Sequence, residues 1–258
     1  MKKISLLLAS LAVSALAVTQ TGCKTSCCSD GACAMPSDKK AAPYVSLFDG
    51  KTLAGWDGLS DHWKVMDGTI TGYTEKANPM KQNTFLVWTN GTVDNFELRF
   101  RYKILALNDV GFGNSGVQYR SKLMDPAAFV VGGYQADFEY GTTYSGILYE
   151  ERGRGILAER GQRTMISDDG KGGTMIRKLG QLAPSAELQA NIRQGEWNDY
   201  HVIADGNHLM HFINGRMTIE VIDDQAAKAA KSGILALQVH AGPPMQVQFK
   251  DIMLRKLP

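Results

Sequence analysis

The chain has 258 residues, of which 44% are hydrophobic and 21% charged, with 28 basic and 26 acidic side chains for a formal net charge of +2. That balance supplies enough apolar material for a packed core and excludes a chain disordered by composition. The surplus charge is Lys2 and Lys3 alone; beyond residue 22, 26 basic side chains face 26 acidic ones, which argues against an electrostatic grip on nucleic acid or anionic lipid and points to a neutral partner.

The first element is an export signal over residues 1–22. Met1-Lys2-Lys3 is a short positive start, and the apolar run from Ile4 to Val18 is too short for a comfortable membrane span. It ends at Gln20-Thr21-Gly22-Cys23, similar to a bacterial lipobox, so Cys23 is the candidate for lipidation; plain cleavage and secretion is the alternative. Either way the protein is expected outside the cytoplasm, periplasmic or anchored at the outer membrane, and touching a membrane only through an N-terminal lipid. All four cysteines (Cys23, Cys27, Cys28 and Cys33) fall in the following segment, 23–43, which runs into Pro36 to Pro43 and reads as a flexible tether. No cysteine follows, so the folded part has neither disulfides nor thiol chemistry.

From 44 to 258 the pattern is that of one all-β domain. Short apolar or alternating runs predict strands at 45–48, 63–66, 85–88, 96–104, 116–120, 133–140, 146–149, 198–204, 208–213, 217–221, 233–239 and 245–254. Asp67-Gly68, Asn90-Gly91, Asp205-Gly206 and Asn214-Gly215 are turn pairs that tolerate positive φ. Only 185–192 and 224–231 read as short helices. So many strands with so little helix imply two packed antiparallel sheets, a jelly-roll-like sandwich.

Alternation sorts three of these strands into an apolar and a polar face. One parity carries Asn114, Gly116, Gln118 and Arg120; another Gln135, Asp137 and Glu139; a third Ala236, Gln238 and His240. If the three lie in one sheet, its outer face is a groove of planar, fork-shaped hydrogen-bonding groups. Tyr144, Tyr149 and Trp197 are candidate stacking platforms, and together these groups suit a neutral, hydroxyl-rich ligand, a sugar. A merely solvated sheet surface is the plainer alternative.

Asp137 and Glu139 should have Cα atoms ~6.6 Å apart on one strand face, a pair able to divide acid and base roles or to be tied up in ion pairs with Arg120 or Arg154. In sandwich glucanases that retain configuration the same strand begins with a glutamate; here that position is Gln135, which cannot act as nucleophile. His240 leaves its strand at a Gly-Pro-Pro bend and could be a base, a ligand or an edge residue. His208 and His211 lie on opposite strand faces and cannot share a metal there. Arg152, Arg154 and Arg160 could hold an anion or close a loop over the groove.

Ser46-Leu47-Phe48-Asp49-Gly50-Lys51-Thr52-Leu53-Ala54-Gly55-Trp56 resembles the opening of the 3-keto-disaccharide hydrolase domain family. Asn114-Ser115-Gly116 with Arg120, Gly133-Tyr134-Gln135, Gly146 to Tyr149, Glu196-Trp197-Asn198, His211 with Asn214-Gly215, and Leu237-Gln238-Val239-His240 continue the resemblance in order across about 44–257. One strand departs from it: the common form Tyr-Glu-x-Gln is here Tyr134-Gln135-Ala136-Asp137, with acid and amide exchanged, so a catalytic carboxylate does not transfer directly.

The resemblance implies a concanavalin A-like sandwich and cleavage of glycosides oxidised at C3. A C3 ketone acidifies the C2 hydrogen, so a base can remove it, expel the C1 substituent by elimination and let water add back. Such a site needs a base, an enolate stabiliser and groups that fix the ring. The expected assignment is Asp137 or His240 as base and Arg120 as enolate stabiliser. Asn114, Gln118, Gln135, Glu139, Tyr149 and Gln238 would contact substrate. A divalent ion held by Asp137, Glu139 and His240 is the alternative electrophile. The rival reading is a non-catalytic sugar-binding module tethered to the envelope.

Overall fold

The structure, a computed structural model, describes residues 42–258. The expected export signal, 1–22, and nearly all of the expected tether, 23–43, Cys23 included, lie outside the described residues. In chain order the strands are β1 (Val45–Ser46), β2 (Trp56–Asp57), β3 (Trp63–Met66), β4 (Thr69–Thr74), β5 (Thr84–Trp88) and β6 (Phe96–Ala106). There follow β7 (Asn114–Asp125), β8 (Val130–Glu139), β9 (Leu148–Glu151), β10 (Gly155–Ala158), β11 (Gln162–Asp168) and β12 (Thr174–Gln181). After the short helix α1 (Ser185–Ala190) come β13 (Asn198–Asp205), β14 (His208–Ile213), β15 (Arg216–Asp223), β16 (Ile234–Val239) and β17 (Met245–Lys256).

These strands form two sheets. One has ten strands, in the order β12-β11-β15-β14-β13-β6-β17-β4-β3 with β1 added beside β17; the other has seven, β10-β9-β8-β7-β16-β5-β2. Pairing is antiparallel except between β11 and β15. The expected all-β jelly-roll sandwich is therefore the architecture observed. The 224–231 helix is not: the segment makes a single turn in which Lys228 and Ala229 both donate to the Gln225 carbonyl. It is pulled straight at its end, where the Ala230 carbonyl accepts from Arg120 and its N–H donates to the Tyr134 hydroxyl.

Alternation fills the space between the sheets. Phe96, Leu98, Phe100, Tyr102 and Ile104 of β6 face Tyr134, Ala136 and Phe138 of β8, all at most 3% exposed. Tyr102 and Phe138 stack with ring centroids 3.9 Å apart, and Phe100 stacks on Tyr200 at 5.1 Å. Each such buried ring contributes ~1.5–3 kcal/mol of hydrophobic stabilisation. On β17 a bulge at Asp251, where φ is +52°, moves the inward parity from Phe249 to Ile252. At the β14–β15 hairpin Asn214 and Gly215 have φ of +48° and +78°, the pair of left-handed residues that a two-residue hairpin turn demands.

The core also holds a histidine. His211 is fully buried, with Nε2 3.0 Å from the Tyr119 hydroxyl and Nδ1 3.2 Å from that of Tyr200. Burial pushes its pKa down to about 3, so it packs as a neutral ring. His208, on the opposite face, pairs with Glu220 at 3.0 Å.

Candidate active site

Strands β7, β8, β9 and β16 are neighbours in the seven-stranded sheet, so their outward side chains share one face. Register sets the rows: Gln118 lies opposite Gln135, Gln135 opposite Tyr149, and Asp137 opposite Gly116. A hollow of about 320 Å³ opens there, lined by Asn83, Asn114, Gln135, Asp137, Tyr144, Ile147, Tyr149, Glu151, Ile156, Gln238 and His240. The volume is at the lower end of small-molecule sites. Seven residues singled out from the sequence thus meet in one place: Asn114, Gln135, Asp137, Tyr144, Tyr149, Gln238 and His240.

The floor is a chain of amides and acids. The Gln135 amide touches Asp137 Oδ1 with one arm, which also lies 3.4 Å from Gln238 Oε1. Its other arm is 2.7 Å from the Gln118 amide. Gln238 Nε2 donates to Glu151 Oε2 at 3.4 Å. Gly116 makes this layout possible, because a Cβ there would sit 2.6 Å from Gln135 Cγ. The Gln135 side chain lies across β7 in the space a side chain would otherwise occupy.

Two carboxyls and an imidazole face the hollow. Asp137 is 5% exposed, and burial drives its carboxyl well above the ordinary carboxylate range, with Glu151 and Glu139 pushing the same way. Glu151 is also raised, first by burial, with His240 and Arg152 opposing. At His240, Nδ1 lies 2.6 Å from the Ala241 carbonyl oxygen. A carbonyl only accepts, so Nδ1 carries a proton, and in the neutral tautomer Nε2 is the nitrogen with the lone pair. The ring is further braced edge-on against Phe112. Tyr149, whose hydroxyl is raised by burial, Tyr144 and Ile156 complete the wall and rim.

Three assignments made from the sequence are corrected. Arg120 is not in this hollow. It has φ +49°, and the β7–β8 register shifts between Tyr119 and Lys122, so the alternation that put it beside Gln118 is broken. Its guanidinium, 2% exposed, donates instead to the carbonyls of Asp94, Gly206 and Ala230 and to Asn95 Oδ1. Gln118 is fully buried beneath Gln135, and its reach ends there rather than at the hollow. Glu139 spends its carboxylate on the loop that follows: Oε1 accepts from the backbone N–H of Thr143 at 2.5 Å and of Tyr144 at 2.8 Å.

With Glu139 so engaged, the trio Asp137, Glu139 and His240 is not assembled. Among the described residues no group of three or more His, Cys, Asp or Glu side chains is arranged to hold a metal ion. Of the three arginines in the glycine-rich stretch, Arg160 clamps the same loop by donating to the carbonyls of Thr142, Thr143 and Ser145. Arg154 is locked between Glu150 and Asp223, and Arg152 bonds Gln82. Sequence reasoning missed Asn83 and Glu151. The second carried a signal, since it stands two residues beyond Tyr149 on the same strand and so shares its face.

Larger hollows lie elsewhere; two of them, of about 540 Å³ beside Arg120 and about 740 Å³ beside Arg154, are walled by the alanine-rich 226–230 turn. The buried charges that face them are already paired within the protein. The 320 Å³ hollow differs in gathering Nε2 of an imidazole and two raised carboxyls that have no cationic partner bonded to them.

Comparison with known proteins places the fold. A glycosyl hydrolase of Parabacteroides distasonis, so assigned only provisionally, has a crystal structure that superposes with a TM-score of 0.53 at 19% identity, covering 83% of this chain and 94% of that one. A Bacillus subtilis protein of unknown function with a galectin-like fold superposes at 0.50 with 13% identity, over 79% and 90% of the two chains. A structure reported with endo-acting O-glycanases of human gut bacteria gives 0.52 at 12% identity, over 84% and 100%. At such identities the likeness is one of fold. No protein with a curated description matches the sequence. Residues 43–255 match the 3-keto-alpha-glucoside-1,2-lyase-like domain, nearly the whole of the described chain, and the protein belongs to that 3-keto-disaccharide hydrolase family.

Proposed function

We propose that this protein cleaves glycosides carrying a ketone at C3 of the sugar, by elimination and hydration in the 320 Å³ hollow. The observation that carries the reading is His240, whose Nδ1 is turned to the Ala241 carbonyl, which makes Nε2 the basic nitrogen of the neutral ring, beside two carboxyls that burial holds toward their neutral form. A base next to neutral acids is the pairing an enolate-forming reaction uses.

In this reading His240 Nε2 takes the C2 proton while the C2–H electron pair flows toward the C3 carbonyl. Asp137, neutral, donates a hydrogen bond to the oxygen as negative charge develops there, the role that Arg120 is too distant to play. Return of the electron pair forms the C1=C2 double bond and breaks the bond from C1 to the departing oxygen, which takes a proton from Glu151. Water then adds across that double bond, hydroxyl to C1 and proton to C2. Asn83, Asn114 and Gln238 hold ring hydroxyls, with Tyr144 and Tyr149 against the apolar face of the sugar.

The test is to incubate the protein with a 3-keto-glucoside and with the unmodified glucoside. Release of aglycone from the keto form alone supports the reading. Binding of either sugar with no turnover of the keto form overturns it in favour of a carbohydrate-binding module.

A further inference from the structure

An amide has two arms of nearly the same shape, so its neighbours decide which is nitrogen and which is oxygen. One arm of Gln118 lies among the Gly133 carbonyl, the Tyr134 carbonyl and Ser121 Oγ, at 3.3, 3.2 and 2.6 Å. Two of those three partners only accept. The third, Ser121, has its own acceptor in the Tyr119 carbonyl at 3.0 Å and is free to receive. An oxygen on that arm would face two carbonyl oxygens in a fully buried place; a nitrogen there has two N–H groups to donate among three partners that all accept.

The consequence passes to the hollow. With nitrogen on that arm, the other arm of Gln118 is oxygen, 2.7 Å from Gln135, so Gln135 must turn its own nitrogen toward Gln118. Its oxygen then faces Asp137 Oδ1 in direct contact and Gln238 Oε1 at the longer 3.4 Å. Two acceptors in contact need a proton between them, and the only group of the two able to carry one is the carboxyl. We propose that Gln118 is a positioning residue: by orienting Gln135 through the backbone of β8, it holds Asp137 as a neutral acid that donates to Gln135 through one oxygen and leaves the other for the substrate.

This proposal rests on the reading of Asp137 given above but adds a cause for it outside the hollow. Burial of Asp137 acts in the same direction. Rotated the other way, the two amides would present nitrogen to Asp137 and favour its ionised form, so the carboxyl's charge and the amide orientation form one coupled two-state element.

Infrared difference spectra of the whole protein against Asp137→Asn at pH 7 should contain the carbonyl band of a protonated carboxylic acid. NMR of the Gln118 side chain should place its NH2 protons beside Ser121 rather than beside Gln135. In Gln118→Met, of similar volume, Gln135 is free to turn; the Asp137 acid band should move to lower pH by about one unit or more. Turnover of a 3-keto-glucoside should lose its alkaline limb by the same displacement. A carboxylate signal from Asp137 at pH 7 in the wild type, or Gln118 NH2 protons against Gln135, overturns the proposal even if Gln118→Met does not fold. A shifted acid band with no keto-sugar turnover in any form leaves the relay standing and refutes the catalytic reading alone.

Discussion

Gly116 and Gln135 occupy one space: the point where a Cβ would stand on the first lies 2.6 Å from Cγ and 2.7 Å from Cδ of the second. Both neighbours are fixed by the β7–β8 ladder, which puts Gln118 opposite Gln135 and Gly116 opposite Asp137. Gly116→Ala should therefore expel the Gln135 side chain rather than shift backbone. Overpacking of this kind costs about 1–3 kcal/mol. Expected are a lowered Tm in thermal denaturation and a drop in turnover larger than the loss of folded protein explains.

His240 stands half-buried at the end of its strand, so removing it should spare the fold. His240→Ala should lower kcat on a 3-keto-glucoside by roughly 10²–10⁴, the range for loss of a general base. The Tm should stay close to that of the wild type. A variant that loses activity only in proportion to its unfolding would show the imidazole to be structural.

Arg120 gives the opposite expectation. Arg120→Met leaves the carbonyls of Asp94, Gly206 and Ala230 without their donor, each at about 1–3 kcal/mol if it stays buried and unsatisfied. Denaturant unfolding should register a loss of several kcal/mol. Turnover per folded molecule should be unchanged, because the guanidinium faces a different hollow.

Glu139 and Arg160 hold one loop from two sides, the first by its N–H groups and the second by its carbonyls. Tyr144 rides on that loop at the rim of the hollow. Glu139→Ala should loosen the platform and raise KM more than it lowers kcat, and Tyr144→Ala should do the same. Steady-state kinetics on one substrate separates this from a chemical role, which would lower kcat.

Two buried groups make stability depend on pH in opposite senses. His211 has its folded pKa pushed down to about 3, so below about 6.5 the unfolded chain binds a proton that the folded one refuses, and stability falls as pH drops through that window. Asp137 has its folded pKa raised. Above about 3.9 the unfolded chain releases a proton that the folded one keeps, and stability falls as pH rises. Asp137→Asn should accordingly gain Tm over the wild type as pH is raised from 4 to 8, while losing turnover. Thermal melts across that range check both slopes.

Strands whose two faces differ in polarity were legible: β8 alternates Tyr134, Ala136 and Phe138 with Gln135, Asp137 and Glu139, and its span was expected within a few residues. Others escaped because the alternation is missing. All but one residue of Thr69–Thr74 are buried, so its threonines mark neither face, and Thr174–Gln181 has no buried residue to set a period. Parity likewise puts Gln135, Asp137, Gln238 and His240 on one face from the sequence alone. It failed at Arg120, where a left-handed backbone in a non-glycine residue reverses the face without any mark in composition. It also overreached at Glu139, because a carboxylate's nearest donors were the N–H groups of its own following loop. Asn83, just before Thr84–Trp88, sits outside any periodic run.

Because core and hollow are written in alternate positions of the same strands, the two can drift separately. Tyr134, Ala136 and Phe138 answer to the opposite sheet, whereas Asn114, Tyr149 and His240, only partly buried, answer to whatever enters from outside. Descendants of this chain could exchange those outer letters and acquire a taste for other saccharides while the sandwich beneath keeps its shape. Gly116 is the hinge of that freedom: any side chain added there taxes recognition first, which makes it the position where new specificity should be hardest to find.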